Sequence, residues 1–204
     1  MMDLSESTEW QAAQEGRSPR DRILETAFGL LADRGLEGVN TNIVAQQAGV
    51  GVGTFYRYFE DKYALLKACM SQGLDLLQLK LANAQQNSAH EPLEVQLRAG
   101  VEAFVDFALE DPARFRVLFS LGQNPGHRSR VGLGFSPRGI ETGIRALQKR
   151  GLVDGKVDPC VAARAFTAAQ SQSVLWWLGE SELVPKEDVI DTLVRLHPAM
   201  ACRA

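Results

Sequence analysis

Cysteine is scarce in this chain, and its three copies, Cys69, Cys160 and Cys202, share no C-x-x-C spacing. An odd, scattered set excludes a disulfide framework, and with no grouped ligand residues no metal site is expected. Positive charge is not in excess either: 22 Lys and Arg stand against 25 Asp and Glu, a net charge of −3. Any attraction to nucleic acid must come from a local arrangement of donors, not from bulk charge. No run approaches the roughly 18 apolar residues of a membrane span, and residues 1–16 are acidic with no apolar leader segment, so neither a span nor a secretory signal is expected. The expected location is the cytoplasm. Strand-like alternation of apolar and polar residues is lacking throughout. Catalytic signatures are lacking too: there is no G-x-S-x-G, no H-E-x-x-H and no spaced carboxylate pair, and His90, His127 and His197 are isolated. Gly49, Gly51 and Gly53 imitate a phosphate loop but follow a helical pattern and lack the G-K-[ST] ending, so no cofactor is expected and enzyme chemistry is set aside.

Helix punctuation, by contrast, is plentiful. A composition of 45% hydrophobic and 23% charged residues suits a globular core. Four of the eight prolines follow a good capping residue, in Ser18-Pro19, Asp111-Pro112, Ser136-Pro137 and Asp158-Pro159. Proline is accepted in the first helical turn, where its missing N–H has no partner to lose, so each pair marks a helix start. Pro92 and Pro185 precede apolar residues at helical spacing and mark two more. A first helix runs from Pro19 with Leu24, Ala27, Phe28 and Leu31 on one side and Gly35 as its stop. A long helix is expected from Asp61 to about Asn87, and another from Pro137 to Arg150. The reading is an all-α fold of roughly nine helices. It divides into an acidic tail over residues 1–16, a first helical unit over 17–62 and a larger one over 63–204, with one long loop from Gly122 to Phe135.

The most specific stretch is Asn40 to Lys62, NTNIVAQQAGVGVGTFYRYFEDK. Asn40 can cap a short helix, Gly49 allows a sharp turn, and a second short helix follows from about Val52 to Tyr58, with Val44, Ala45, Ala48, Val50, Phe55 and Phe59 as the buried positions. Two short helices joined by a tight turn make a helix-turn-helix whose second helix is sized for a major groove. From Arg22 to Leu66 the chain resembles the tetracycline-repressor (TetR) family of bacterial transcription regulators, in its first helix, its A-G-V turn and the run G-T-F-Y-x-Y-F-x-D-K. The resemblance covers about a fifth of the chain and departs at Gly51, where the family often has a capping serine. It implies that Thr41, Thr54, Tyr56, Tyr58 and Lys62 contact the phosphate backbone and that Asn42, Val52 and Gly53 meet bases. The side-chain chemistry agrees, since hydroxyls and an ammonium suit phosphate oxygens, an amide suits adenine and a valine suits a thymine methyl. Arg17, Arg20 and Arg22 are candidate additional phosphate contacts. Arg17 to Lys62 nevertheless holds six cations and six acids, and the tyrosines also fit a half-buried structural role.

The resemblance implies that 17–62 is a DNA-binding domain and 63–204 an effector-binding and dimerisation domain, with double-stranded DNA, a second copy of the chain and a small, largely apolar effector as partners; composition adds the expectation of no membrane. Repression from a pseudo-palindromic operator is the expected mode; a purely architectural DNA binder is the alternative without an effector. Candidate effector contacts are Leu74, Leu77, Phe104, Phe119, Phe135, Phe166 and Trp177, residues that fit a packed core equally well. Ala162, Ala165, Ala169 and Ser173, with Ile190 and Leu193 after Pro185, form a candidate dimer face, with packing inside one chain as the alternative. Pro112 to Arg150 holds eight cations against the single acid Glu141, fitting an anionic ligand or a solvated basic face. Cys160, in a first helical turn, fits either a reactive thiol or a structural one.

Overall fold

The computed structural model of the chain describes residues 17–121, 137–180 and 183–201. Among the described residues every regular element is helical, in the order α1 (Pro19–Arg34), α2 (Thr41–Gln47), α3 (Val52–Tyr58), α4 (Lys62–Asn87), α5 (Leu93–Glu110), α6 (Pro112–Arg116), a π-helical turn (Val117–Leu121), α7 (Arg138–Lys149), α8 (Pro159–Gly179), α9 (Lys186–Leu196) and α10 (Pro198–Ala201). The all-α reading holds, with one helix beyond those the sequence announces; α10 is a single turn, too short to leave a periodic signal. The acidic tail and the loop from Gly122 to Phe135, Phe135 included, lie outside the described residues.

Three of the four cap–proline pairs act as expected. Ser18 Oγ accepts from the Asp21 N–H at 3.2 Å, Asp111 Oδ1 from the Arg114 N–H at 2.8 Å, and Asp158 Oδ1 from the Cys160 and Val161 N–H groups at 2.9 and 3.0 Å. In the fourth, Pro137 is itself the capping residue of α7, as Pro92 and Pro185 are for α5 and α9, and none of the three supplies a side-chain acceptor. Asp61 caps the long helix α4 by accepting from the Tyr63 and Ala64 N–H groups at 2.9 and 2.7 Å.

Helix α1 is the hub of the N-terminal head. Its buried stripe, Leu24, Ala27, Phe28 and Leu31, meets Val44, Ala45 and Ala48 of the α2 segment and Phe55 of α3 in one apolar cluster; Val50 lies half-buried at its edge. Burying Phe55 alone contributes about 1.5–3 kcal/mol. The same cluster continues without a break into Leu65, Leu66 and Cys69 of α4 and on into the C-terminal body. Burial drives the Cys69 thiol pKa upward, so that side chain serves as a small hydrophobe. A second cluster ties α7 to α8 and α10 through Ile144, Leu147, Ala163 and Ala199.

Helix α9 packs on α5. Around its apolar side runs an ionic rim: Arg98 pairs with Asp191, with Glu187 at 2.6 Å and with Glu102 at 2.8 Å, and Lys186 Nζ reaches Asp106 at 2.6 Å. This arrangement removes two of the six residues of the expected dimer face. Ile190 and Leu193 are 1% and 2% exposed, consumed by the protomer's own core, and cannot also meet a partner. On α8, by contrast, Ala165 and Ala169 are exposed and Ala162 and Ser173 half-buried, in line with exposed Val161, Ala168, Gln172 and Trp176.

Candidate nucleic-acid interface

The head holds its turn by specific means. Asn40 Oδ1 accepts from the Asn42 N–H at 2.8 Å and starts α2. Gly49 sits at φ 62°, a left-handed conformation that costs any residue with a Cβ about 1–2 kcal/mol, and this reverses the chain between α2 and α3. Gly51 caps α3 through its carbonyl alone, accepting from the Thr54 and Phe55 N–H groups at 2.9 and 3.1 Å; no side-chain cap exists, as the missing serine implies.

Phe55 anchors α3 inward, and the opposite side of the helix is bare. Val52 and Tyr56 are 44% and 52% exposed, Tyr58 and Asn42 are exposed, and Thr41 and Thr54 are half-buried at the rim. Gly53 is exposed, and a Cβ built there would meet no atom within 4 Å. Thr41 Oγ1 and the Tyr56 hydroxyl stand 3.1 Å apart, which joins the start of α2 to the middle of α3. Seven of the eight expected contact residues are thus exposed or half-buried on α2 and α3, and of these the structure joins Thr41 to Tyr56.

Lys62 has a different occupation. Its ammonium donates to Glu37 Oε2 at 2.8 Å and to the Leu36 carbonyl at 3.3 Å, clasping the start of α4 to the turn after α1. Two of its three protons are used inside the protein, a structural occupation that the sequence reading did not foresee. Arg20 lies over the Phe59 ring at 5.8 Å, and Arg22 donates weakly to the Gly49 carbonyl at 3.5 Å, so these two also serve the head itself. The cation that the sequence reading passed over is Arg57, exposed on α3 with its guanidinium 5.2 Å from the Tyr58 ring. Its place between two tyrosines of the recognition helix was the available signal.

Residues 23–69 match the family model of bacterial regulatory proteins, tetR family. Over that segment the chain is similar to that family. Among curated relatives, an HTH-type transcriptional regulator of Staphylococcus aureus is 31% identical over 86 residues, 41% of this chain and 46% of the relative. The chain thus spans about half the length of the curated relatives it matches. Among solved structures, the transcriptional regulator FadR of Bacillus subtilis, in complex with stearoyl-CoA, superposes with a TM-score of 0.71 at 16% identity, covering 88% of this chain and 97% of its own. FadR of Thermus thermophilus, a repressor in complex with lauroyl-CoA, gives 0.62 at 20% identity, covering 87% and 92%. At such identities the likeness is one of fold.

In the C-terminal body, the described candidates for effector contact are all buried. Phe104 and Phe119 pack edge to face at 5.2 Å, Phe166 stands against His197 at 4.7 Å, and the Trp177 indole N–H donates to the Val184 carbonyl at 2.8 Å. Leu74 and Leu77 are buried on α4. An open groove of about 500 Å³ runs between α4 and α5, lined by Lys80, Ala84, Asn87, Ser88, Val95, Ala99 and Asp106 among others, and none of the six lines it. No helix among the described residues is long and apolar enough to cross a membrane.

Proposed function

We propose that the protein is a ligand-responsive, DNA-binding transcriptional regulator: a homodimer that represses from a pseudo-palindromic operator and is released by a small, largely apolar effector. The observation that carries this reading is the bare outer face of α3. Val52, Gly53, Tyr56, Arg57 and Tyr58 face solvent on a helix whose inner side is fixed by buried Phe55. A helix that kept glycine and valine outermost for stability alone would be poorly chosen, whereas a helix entering a major groove needs a slim tip flanked by donors. Thr41, Thr54, Tyr56, Tyr58 and Arg57 are the phosphate donors in this reading, and Asn42, Val52 and Gly53 the base readers. One seven-residue helix reads too few bases alone, which favours two copies. The exposed stripe of α8, from Val161 through Ala165 and Ala169 to Trp176 with Arg164 at its edge, supports a second copy as its cover, because small side chains let helices approach closely.

The effector belongs in the body, where Phe104, Phe115 and Phe119 form an aromatic knot. The two FadR complexes make acyl-CoA thioesters the first class to try. The test begins with a duplex selected by the full-length chain from a random-sequence library. Footprinting and mass measurement should find two chains on two half-sites about 34–36 Å apart, or a multiple of that spacing. A single chain on an asymmetric site, or failure to select any duplex, would overturn the reading. Lauroyl-CoA and stearoyl-CoA are then titrated into the complex for release.

A further inference from the structure

We infer that Arg114 is the positioning residue through which the body sets the orientation of the DNA-reading head; the inference rests on the regulator reading above. Helix α6 and the π-helical turn after it serve different partners on two sides. Toward the body, Phe115 and Phe119 lie 4.6 Å apart, and their ring centroids stand 5.3 and 5.2 Å from that of Phe104 on α5. One residue before each, Arg114 and Leu118 face the other way. Arg114 Nη2 lies 3.2 Å from Glu25 Oε1 of α1, and its guanidinium carbon lies 4.5 Å from the centroid of the Phe28 ring, also of α1. Arg114 Nη1 lies 2.6 Å from Asp111 Oδ2, the residue that caps α6. The guanidinium is therefore fastened to its own helix at one end and to α1 by a charge pair and a ring face at the other.

There is no slack behind it. A Cβ added to Gly73 of α4 would stand 3.2 Å from Arg114 Cγ and 3.1 and 3.2 Å from the Leu118 methyl carbons, so α4 and the α6 segment already touch. The Arg114 side chain is only 13% exposed, and its Nε is buried without a hydrogen-bond partner, so the contacts to Glu25 and Phe28 act in a poorly hydrated setting where they are stronger than on an open surface. A planar guanidinium can stack and pair at once; an ammonium cannot. Anything that displaces Phe104 or Phe119 must turn the α6 segment, and the turn carries Arg114 with it. Helix α1 then moves, and α2 and α3 follow because they share its apolar cluster.

The test needs no effector. Full-length protein and the selected duplex are used in a double-mutant cycle pairing Phe119→Leu with Arg114→Met. Failure to select a duplex would sink the regulator reading itself and is thereby separable. Phe119→Leu alone should change the affinity for that duplex at least threefold. In the Arg114→Met background the same change should be less than half as large in logarithm. Arg114→Lys, which keeps charge but not the planar stack, should rescue incompletely, and Glu25→Gln should weaken the coupling without unfolding the head, as read by circular dichroism. A merely structural Arg114 would shift stability and leave the two effects additive. Additivity, or no effect of Phe119→Leu or Phe104→Leu in either background, overturns the inference.

Discussion

Gly53→Ala separates folding from DNA contact more cleanly than any other substitution in the head. Glycine at the second position of α3 carries an entropic cost relative to alanine, and a Cβ there would point into open space with nothing within 4 Å. The free protein should therefore gain about 0.5–1 kcal/mol, seen as a rise of about 1–4 °C in the thermal midpoint of a chain this size. On DNA the sign reverses if the tip of α3 meets base edges. A methyl group forced into a close interface costs about 1–3 kcal/mol, so affinity for the selected duplex should fall roughly 5- to 150-fold. Melting by circular dichroism and titration by fluorescence anisotropy measure the two halves on one preparation. A variant that is more stable and binds as tightly as the parent would refute the reasoning, because it would mean that α3 does not approach DNA at its tip.

Lys62→Met should destabilise the head by about 1 kcal/mol through loss of the Glu37 pair and the Leu36 carbonyl bond, and leave the salt dependence of DNA binding unchanged; a slope reduced by about one would return Lys62 to a phosphate. Ala165→Glu puts a charge in the exposed stripe of α8 and should give a folded monomer by light scattering, with specific binding lowered more than about tenfold; a persistent dimer would place the interface elsewhere. Burial pushes the His197 pKa down to about 4, with the Ala199 N–H donating to its Nδ1 at 3.1 Å. A lowered pKa favours the neutral ring in the fold, so stability is complete above the unfolded value of about 6.5 and is lost as pH falls toward 4, by at most about 3 kcal/mol. Urea midpoints at pH 7 and 4.5 should show that loss, and His197→Gln should remove most of it.

The parts of the fold that the sequence announces are those fixed by neighbours along the chain. Ser18, Asp111 and Asp158 cap helices because their acceptors reach amides two or three residues on, a distance any reader of the sequence can count. The exposed side of α3 is legible for the same reason: Phe55 and Tyr56 are adjacent, and a helix must turn them apart. Partners far along the chain are another matter. Glu37 lies 25 residues from Lys62, and Glu25 lies 89 from Arg114, and nothing local marks either pair. Periodicity correctly assigns Ile190 and Leu193 to an apolar side of α9, yet it says nothing about which neighbour covers that side. The covering is intramolecular because Arg98 and Lys186 hold α9 down on α5 from its edges.

The even balance of charge between Arg17 and Lys62 has a consequence for how such a protein spends its time in a cell full of DNA. Lys62 is engaged by Glu37, and Arg20 and Arg22 lean on the head's own groups, so little net field reaches outward to hold an arbitrary duplex. Random sequence then acts as a weak trap. In the regulator reading, this lowers the head's affinity for arbitrary sequence relative to a basic head and so raises the share of binding that depends on base contacts. On the same reading a strongly basic head would associate faster and hold arbitrary duplex more tightly, whereas a neutral one favours discrimination over speed.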